Sequence, residues 1–556
     1  MKKVIFTLSL LLGFLASTAF TQDTTVVSGT TGTATWTKDK VWVLDGYVRV
    51  DNGEVLTIEA GTVVLAETGS QENASALIIE RNGIILANGT EAEPIIFSSV
   101  LDDVNDPADF LDDQRKGLWG GIIMCGDAPT NTNENGTEQV EGIPSTLPST
   151  VGTFGGNVAD DSSGVMTYVS IRHTGVALAS NNEIQGLTLA GVGSKTVLDY
   201  IESYASDDDG IEIFGGTVSM KHVVVAFAAD DMFDLDQGWT GNVQYLFIIQ
   251  SADFGDRLGE WDGADTPEDG MPFGSPTIFN MTMIGSNPAG TNNRTITFRA
   301  NGGGKVYNSV FYEQGRGIDV EMKSDALVSE SSYDRFQAGD LVVSNNVFWN
   351  VAGNTAADLY KVSPIAAGWV DSAATVSAAV TDVLNTMSAA NVIADPVIAG
   401  LSYIADGQLD PRFSGSDVST DLATVPNSWF TPTHYKGAFP PNKGSFWAAN
   451  WTALDHYGYF NKDLTTGIND RLLLEGVRVY PNPNLGTFAV KAGQLTEEAV
   501  NISVFDMTGR RISIQKVRPV AGQIEAEVNI ETAAAGMYFV KVQQGSRLST
   551  SQIVKN

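Results

Sequence analysis

The chain has 556 residues and carries 66 acidic against 33 basic side chains, a formal charge of −33. That balance argues against nucleic acid or an anionic membrane as partner, since both would be repelled. The length exceeds one ordinary compact domain and suits a repeat domain with a small one appended, while 57 glycines among frequent Asn and Asp favour corners over long amphipathic helices.

Met1-Lys2-Lys3, the apolar run from Val4 to Leu15 and small residues through Ala19 read as a secretory signal peptide over 1–21, cleaved between Ala19 and Gln22. No later run approaches the roughly 20 apolar residues that span a bilayer. The expectation is an exported chain with no transmembrane segment. Cys125, the single cysteine, excludes an internal disulfide and, in the strand-like run from Gly120, reads as a small core residue.

From Gly46 onward, short apolar strands alternate with Gly, Asn and Asp, and no helix-length segment separates them. Parallel strands without helical crossovers imply a coil that returns to the same sheets on every turn. The clearest repeat is Tyr204 to Gly216, echoed by Ala226 to Gly238 at a spacing of 22 residues. At that spacing Tyr200 meets His222, Ile211 meets Phe233, Glu212 meets Asp234 and Ile213 meets Leu235, apolar on apolar and acid on acid. A looser third copy, one residue longer, begins at Gln244. The run from Glu80 to Ser99, with Gly117 to Ile122 after it, resembles right-handed parallel β-helix proteins of bacterial surfaces, and 22–460 is expected to form such a solenoid.

Two stretches interrupt the coil. An insertion near 100–117 carries Asp102, Asp103, Asp106, Asp109, Asp112 and Asp113, and another near 127–160 is rich in Asn, Thr, Gly and Pro; both are expected as loops leaving the solenoid. Ala373 to Ala394 can hold a short helix. The segment near 426–460, dense in Trp, Tyr and Phe, reads as a cap plugging the open end of the coil, with a carbohydrate-stacking platform as the alternative.

Residues 461–475 read as a linker. Beyond it Tyr480-Pro-Asn-Pro483, Asp506-Met-Thr-Gly-Arg510 and Gly536-Met-Tyr-Phe-Val-Lys-Val542 stand in order, and 476–556 closely resembles the C-terminal sorting domain of the type IX secretion system. The resemblance implies a small immunoglobulin-like β-sandwich, read by the secretion machinery of a Gram-negative bacterium. It also implies that the passenger is released or attached to surface lipopolysaccharide. The fold class is thus all-β, a right-handed parallel β-helix followed by that sandwich.

The chemistry concentrates where the two copies stack. Strands about 4.8 Å apart would place Asp208 over Asp230, Asp209 over Asp231 and Glu212 over Asp234, each ionised pair repelling by roughly 3.5 kcal/mol at an effective dielectric near 20. Three reliefs are open: solvent around turn-capping acids, Ca²⁺ held by Asp208, Asp209, Glu212, Asp230, Asp231 and Asp234, or a carboxyl that keeps its proton and serves as a general acid. For the last, Ser206-Asp-Asp-Asp-Gly210 is similar to the Gly-Asp-Asp phrase of polygalacturonases, but their His-Gly and Arg-x-Lys phrases are missing. The four His are scattered, without the spacing of a zinc site. The export features and the acids favour a surface-displayed, ligand-binding or adhesive protein that takes a glycan or a cation. The alternatives are a polysaccharide lyase or glycoside hydrolase using Asp208, Asp209, Asp230, Asp231 and Arg257, and a purely structural surface protein.

Overall fold

A computed structural model of the chain describes residues 23–104, 113–132, 137–179, 182–264, 267–286, 293–323, 330–364, 373–441, 446–461, 477–493, 495, 499–506, 511–520, 522–544 and 547–556. The expected signal peptide, all of the expected linker except Asn461, and Asp106, Asp109 and Asp112 lie outside them. The chain divides into two compact units, Met1–Thr465 and Thr466–Asn556.

The first unit is a parallel β-helix. Each turn adds one short strand to a sheet whose ten strands run, in spatial order, Tyr47–Val50, Ala76–Ile79, Ile122–Cys125, Leu187–Ala190, Ile211–Phe214, Phe233–Asp236, Glu260–Asp262, Arg294–Arg299, Arg316–Met322 and Tyr360–Pro364. The rest of the turn joins a 17-stranded parallel sheet. Its long strands, such as Gly164–Arg172, Val197–Tyr204 and Ser219–Ala226, break at a single left-handed residue, so that Gly164–Arg172 pairs with Ile84–Asn88 through one half and with Ile95–Ser99 through the other. The large sheet is therefore two faces meeting at a corner, and the coil has three sides.

The corner is one column through the fold: Tyr168, Tyr200, His222, Tyr245, Asn280, Asn308 and Asn345, with φ between 49° and 64°. Asn tolerates that region, whereas an aromatic residue there is strained by about 1–3 kcal/mol. Stacking offsets the strain. The rings of Tyr168 and Tyr200 lie 4.1 Å apart, those of Tyr200 and His222 4.2 Å, and those of His222 and Tyr245 4.8 Å.

Register follows the 22-residue repeat. Ile211, Glu212 and Ile213 pair with Phe233, Asp234 and Leu235, and Lys221 pairs with Gln244, one residue later, on the next turn. Inward side chains from all three sides fill the interior. Buried indoles serve the coil as donors: Trp119 to the Arg172 carbonyl at 2.7 Å, Trp239 to Val218 at 3.0 Å and Trp261 to Phe233 at 3.2 Å. Cys125 is fully buried, and burial pushes its thiol far above the usual range.

The two covers of the coil differ from expectation. The open end is plugged by the helix Ala373–Ala390, whose Ala379, Val383 and Met387 enter the interior core with Leu341, Phe348 and Tyr360. Met387→Ala is expected to cost about 2–5 kcal/mol, read as a lower melting temperature. The aromatic segment near 426–460 is not the plug. It lies on the outside of the large sheet, where Phe439, Trp451, Tyr457, Tyr459 and Phe460 pack on Tyr204, Phe227, Phe247, Ile249 and Ile284. The physical reason is that the outward column Val224, Phe247, Thr282, Val310 and Val347 is apolar at every position but Thr282 and needs a cover. Nor is the insertion near 127–160 a free loop, because Val140, Val151 and Phe154 cover Ile78, Ile123, Ala190 and Phe214 on the ten-stranded sheet.

The second unit packs a three-stranded antiparallel sheet (Arg478–Tyr480, Thr487–Ala492, Ile524–Asn529) on a four-stranded one (Arg511–Val517, Val500–Asp506, Gly536–Gln544, Arg547–Lys555). Phe488, Val490 and Val528 of the first sheet share a core with Ile502, Val504, Val540 and Val542 of the second, which makes a β-sandwich.

Candidate cation site on the acidic face

The ten-stranded sheet turns its inward residues, Ile211, Ile213, Phe233 and Leu235, into the core. By strand alternation the residues between them face outward. One outward column reads Thr188, Glu212, Asp234, Glu260, Thr297 and Asp319 in continuous register. The corner that leads into each strand adds Asp208 and Asp209 on one turn and Asp230 and Asp231 on the next.

These corner acids do cap turns. Asp209 Oδ1 accepts the Asp231 N–H at 2.9 Å, and Asp231 Oδ1 accepts the Arg257 N–H at 2.6 Å, so each acid holds the backbone of the following turn. Asp208 Oδ2 accepts from Gln185 Nε2 at 3.2 Å. Capping uses only part of the carboxylate surface, however. Carboxylate oxygens of Asp208, Asp209 and Asp230 lie within 4.8 Å of one another, as do those of Asp209, Glu212 and Asp234, and those of Asp230, Asp231 and Asp256. The six residues expected as ligands are thus brought together, with Asp209 shared by the first two clusters.

Positive charge is distributed unevenly along this face. Arg257 Nη1 is 3.1 Å from Asp231, 3.2 Å from Asp256 and 2.8 Å from Glu260, and Arg299 reaches Glu260 at 2.7 Å and Asp262 at 2.6 Å. No ion pair to Lys or Arg reaches Asp209, Glu212 or Asp234 among the described residues. Glu212 is 7% exposed, and its Oε2 is buried without a hydrogen-bond donor.

The consequence is a set of carboxyls that resist ionisation. Burial, then Glu212, Asp231 and Asp208 nearby, push Asp209 well above the usual carboxylate range. Burial and Asp234 do the same to Glu212, and burial followed by Asp209 to Asp234, although Asp234 keeps some surface in solvent. Burial raises Asp231 even against Arg257, and Asp230 more mildly. Asp262 is pushed up to about 8 by burial against the pull of Arg299.

Asp209, Glu212 and Asp234 fit a hard cation by their chemistry: all-oxygen donors, excess negative charge and one oxygen with nothing to accept from. Glu260, Asp262 and Arg299 belong to the same face but escape the 22-residue repeat, because Asp234 pairs with a residue 26 positions on. His222 lies on another side of the coil, its Nδ1 2.7 Å from Asp199 Oδ1.

Fold and face together define a parallel β-helix with a carboxylate-rich flank. Residues 28–395 match the pectate-lyase-like β-helix domain, and the chain belongs to that family. Residues 478–556 match the secretion system C-terminal sorting domain. The type IX machinery is therefore a partner of the C-terminal unit, and the protein is delivered to the surface or exterior of a Bacteroidetes-type Gram-negative cell. No curated protein matches the chain. Among solved structures it is similar to the tailspike protein of Acinetobacter phage vB_ApiP_P1, at 8% identity and a TM-score of 0.26, over 92% of this chain and 72% of that one. It is also similar to tailspike protein 2 of the Escherichia coli O157:H7 bacteriophage CAB120, at 9% identity and a TM-score of 0.17, over 92% and 65%. Among the described residues no helix is long and apolar enough to cross a membrane.

Proposed function

We propose that this exported β-helix is a surface-displayed cation-binding protein in which Asp209, Glu212 and Asp234 hold Ca²⁺, with Asp208, Asp230 and Asp231 at the rim. The observation that carries the proposal is the buried Glu212 oxygen without a donor, facing two further carboxylates that no Lys or Arg ion pair reaches among the described residues. Ca²⁺ suits the site better than Mg²⁺, which keeps several waters and rarely takes an all-protein carboxylate cage. When bound, the ion would neutralise the repulsion between turns and lock adjacent rungs. Calorimetric titration of the secreted protein with CaCl₂ and MgCl₂ tests this. Saturable Ca²⁺ binding, weaker for Mg²⁺ and lowered at least about tenfold by Glu212→Gln, is expected; no saturable heat, together with a melt indifferent to chelator, would sink it.

A second reading, cleavage of a polysaccharide by a lyase or hydrolase, is favoured by Arg257 lying beside Asp231 and Glu260. One observation weighs against it. Burial opposes protonation of Arg257, but three surrounding carboxylates raise its affinity for its proton, so it is a poor base. Incubation with a panel of acidic and neutral polysaccharides should give no product. Product that disappears in the Asp208→Asn, Asp230→Asn variant would establish the enzyme reading instead.

A further inference from the structure

The coil has a third side, formed by the leading halves of the long strands, and part of it is neither acidic nor covered. Three successive turns present Val197 and Asp199, then Ser219 and Lys221, then Asn242 and Gln244, in register across the face. Leu198, Met220 and Val243 between them point into the core. Over this floor stands an arm at 427–435 that leaves a groove of about 530 Å³, lined by Ser194, Thr217, Ser219, Asn242, Asn427 and Trp429 among others. That volume is in the range of small-ligand sites.

The wall of the groove is held by specific bonds. Gln244 grips the arm with both ends of its amide, Nε2 donating to the Thr431 carbonyl at 2.7 Å and Oε1 accepting the Thr431 N–H at 2.8 Å. Asn280 Nδ2 donates to the Tyr435 carbonyl at 2.8 Å. The Trp429 backbone N–H donates to Asn427 Oδ1 at 2.9 Å, and its ring makes an edge contact with Phe430, whose ring packs 4.9 Å from Phe279. Lys221 Nζ lies 4.8 Å from the Trp429 ring centre. A partly exposed indole held at the edge of a groove by Phe430 and Lys221 costs less conformational entropy on meeting a ligand than a free one.

The lining selects the ligand class. An apolar patch from Val197, which is 46% exposed, and one aromatic wall lie among hydroxyl and amide side chains. That combination complements a pyranose ring, with a C–H face for the indole and hydroxyls for Ser219, Thr217 and Asn242. The two steps between the three turns span about 10 Å at 4.8 Å each, so a glycan chain laid along the axis meets Val197, Ser219 and Asn242 in succession. Charge decides between glycans. Asp199 and Lys221 face each other across adjacent strands, so the floor is balanced, while the whole chain at −33 repels a polyanion.

We infer that this groove binds a neutral oligosaccharide segment, with Trp429 as the stacking wall and Ser219, Thr217 and Asn242 as hydroxyl partners. It is separate from the acidic face and does not depend on calcium. Affinity gel electrophoresis and calorimetry of the secreted protein in EDTA, with mannan, xylan, laminarin and cellohexaose beside polygalacturonate and alginate, test the inference. At least one neutral glycan should bind. Trp429→Ala should weaken it at least about tenfold, as loss of an aromatic anchor does, Trp429→Phe should weaken it less, and Val197→Arg should block the groove with the arm intact. Absence of binding by every neutral member overturns the inference, as does binding that Trp429→Ala and Val197→Arg leave unaltered. So does binding confined to the acidic polymers, restored by Ca²⁺ and lost in Glu212→Gln, which would move recognition to the acidic face.

Discussion

Without divalent cations the melting temperature of the β-helix is expected to fall as pH rises from about 4.5 to 8, and calcium to abolish most of that fall. The sign comes from the direction of the shifts. Asp209, Glu212 and Asp234 bind their protons more tightly folded than unfolded. In the interval between the two pKa values the folded chain therefore holds more protons, and stability decreases with increasing pH. Below the unfolded value, about 4, the contribution is fully present; it is lost as each group is forced to ionise. At neutral pH two stacked carboxylates repel by roughly 3.5 kcal/mol, large against the total stability of about 5–15 kcal/mol usual for a domain. Calcium requires the ionised form, so its affinity runs the other way and is lost toward low pH. The charge-neutral variant Asp209→Asn, Glu212→Gln should show a flat profile near pH 8, higher than the chelated wild type and insensitive to calcium. Differential scanning calorimetry at several pH values, with and without chelator, reads all of this. A chelated wild type that gains stability toward pH 8 would refute the assignment of uncompensated charge to this face.

The repeat that places these acids was legible because two consecutive turns have the same length. Equal turns put Glu212 over Asp234 and Tyr200 over His222, and a spacing read along the chain becomes a register across a sheet. The next turns lengthen, and the spacing loses that meaning: Glu260 joins the column at 26 residues, bringing Arg257 and Arg299 as counter-charges that no local motif announces. The sorting domain was legible from its Tyr480, Gly536 and Tyr538 phrases, which lie within single strands and their turns. Placement of the aromatic segment was hidden for a different reason. Val224, Phe247 and Val310 alternate with Val223, Leu246 and Phe311, so both faces of those strands are apolar, and a run apolar on both faces says that it is buried without saying by what. The plug was recognisable only as a helix; its three inward residues identify it as the end cap once the last rung is in view.

Glu202→Ala is expected to loosen the aromatic layer and to cost about 3–5 kcal/mol, the penalty for removing one member of a buried set of opposite charges. Glu202 is the charged member of an outward column that runs Ser170, Glu202, Val224, Phe247, Thr282, Val310 and Val347, and it is fully buried. Its Oε2 accepts from Ser170 Oγ at 2.5 Å and from the Ala453 N–H at 2.5 Å, and Oε1 accepts from the Leu454 N–H at 3.3 Å. The carboxylate thus ties the sheet to the turn Ala453–His456 of the layer above it. Arg172, 1% exposed, supplies the opposing charge; its Nε donates to Ser170 Oγ at 2.8 Å and its guanidinium sits 5.5 Å from the Tyr457 ring centre. Burial raises the Glu202 carboxyl, and Arg172, Ser170 and the two amides oppose that rise without cancelling it. Truncation would leave Arg172 charged in a dry interior and two backbone N–H groups without acceptors. Glu202→Gln should cost less, because the shape and one acceptor survive. The double variant Glu202→Met, Arg172→Met should recover much of the loss, since replacing both members of a buried pair by apolar groups is close to neutral. Hydrogen exchange at the Ala453 and Leu454 amides, with limited proteolysis between 401 and 460, would separate loss of the layer from unfolding of the coil. Glu202→Ala within about 0.5 kcal/mol of wild type, with those amides still protected, would show that the aromatic contacts alone hold the layer in place.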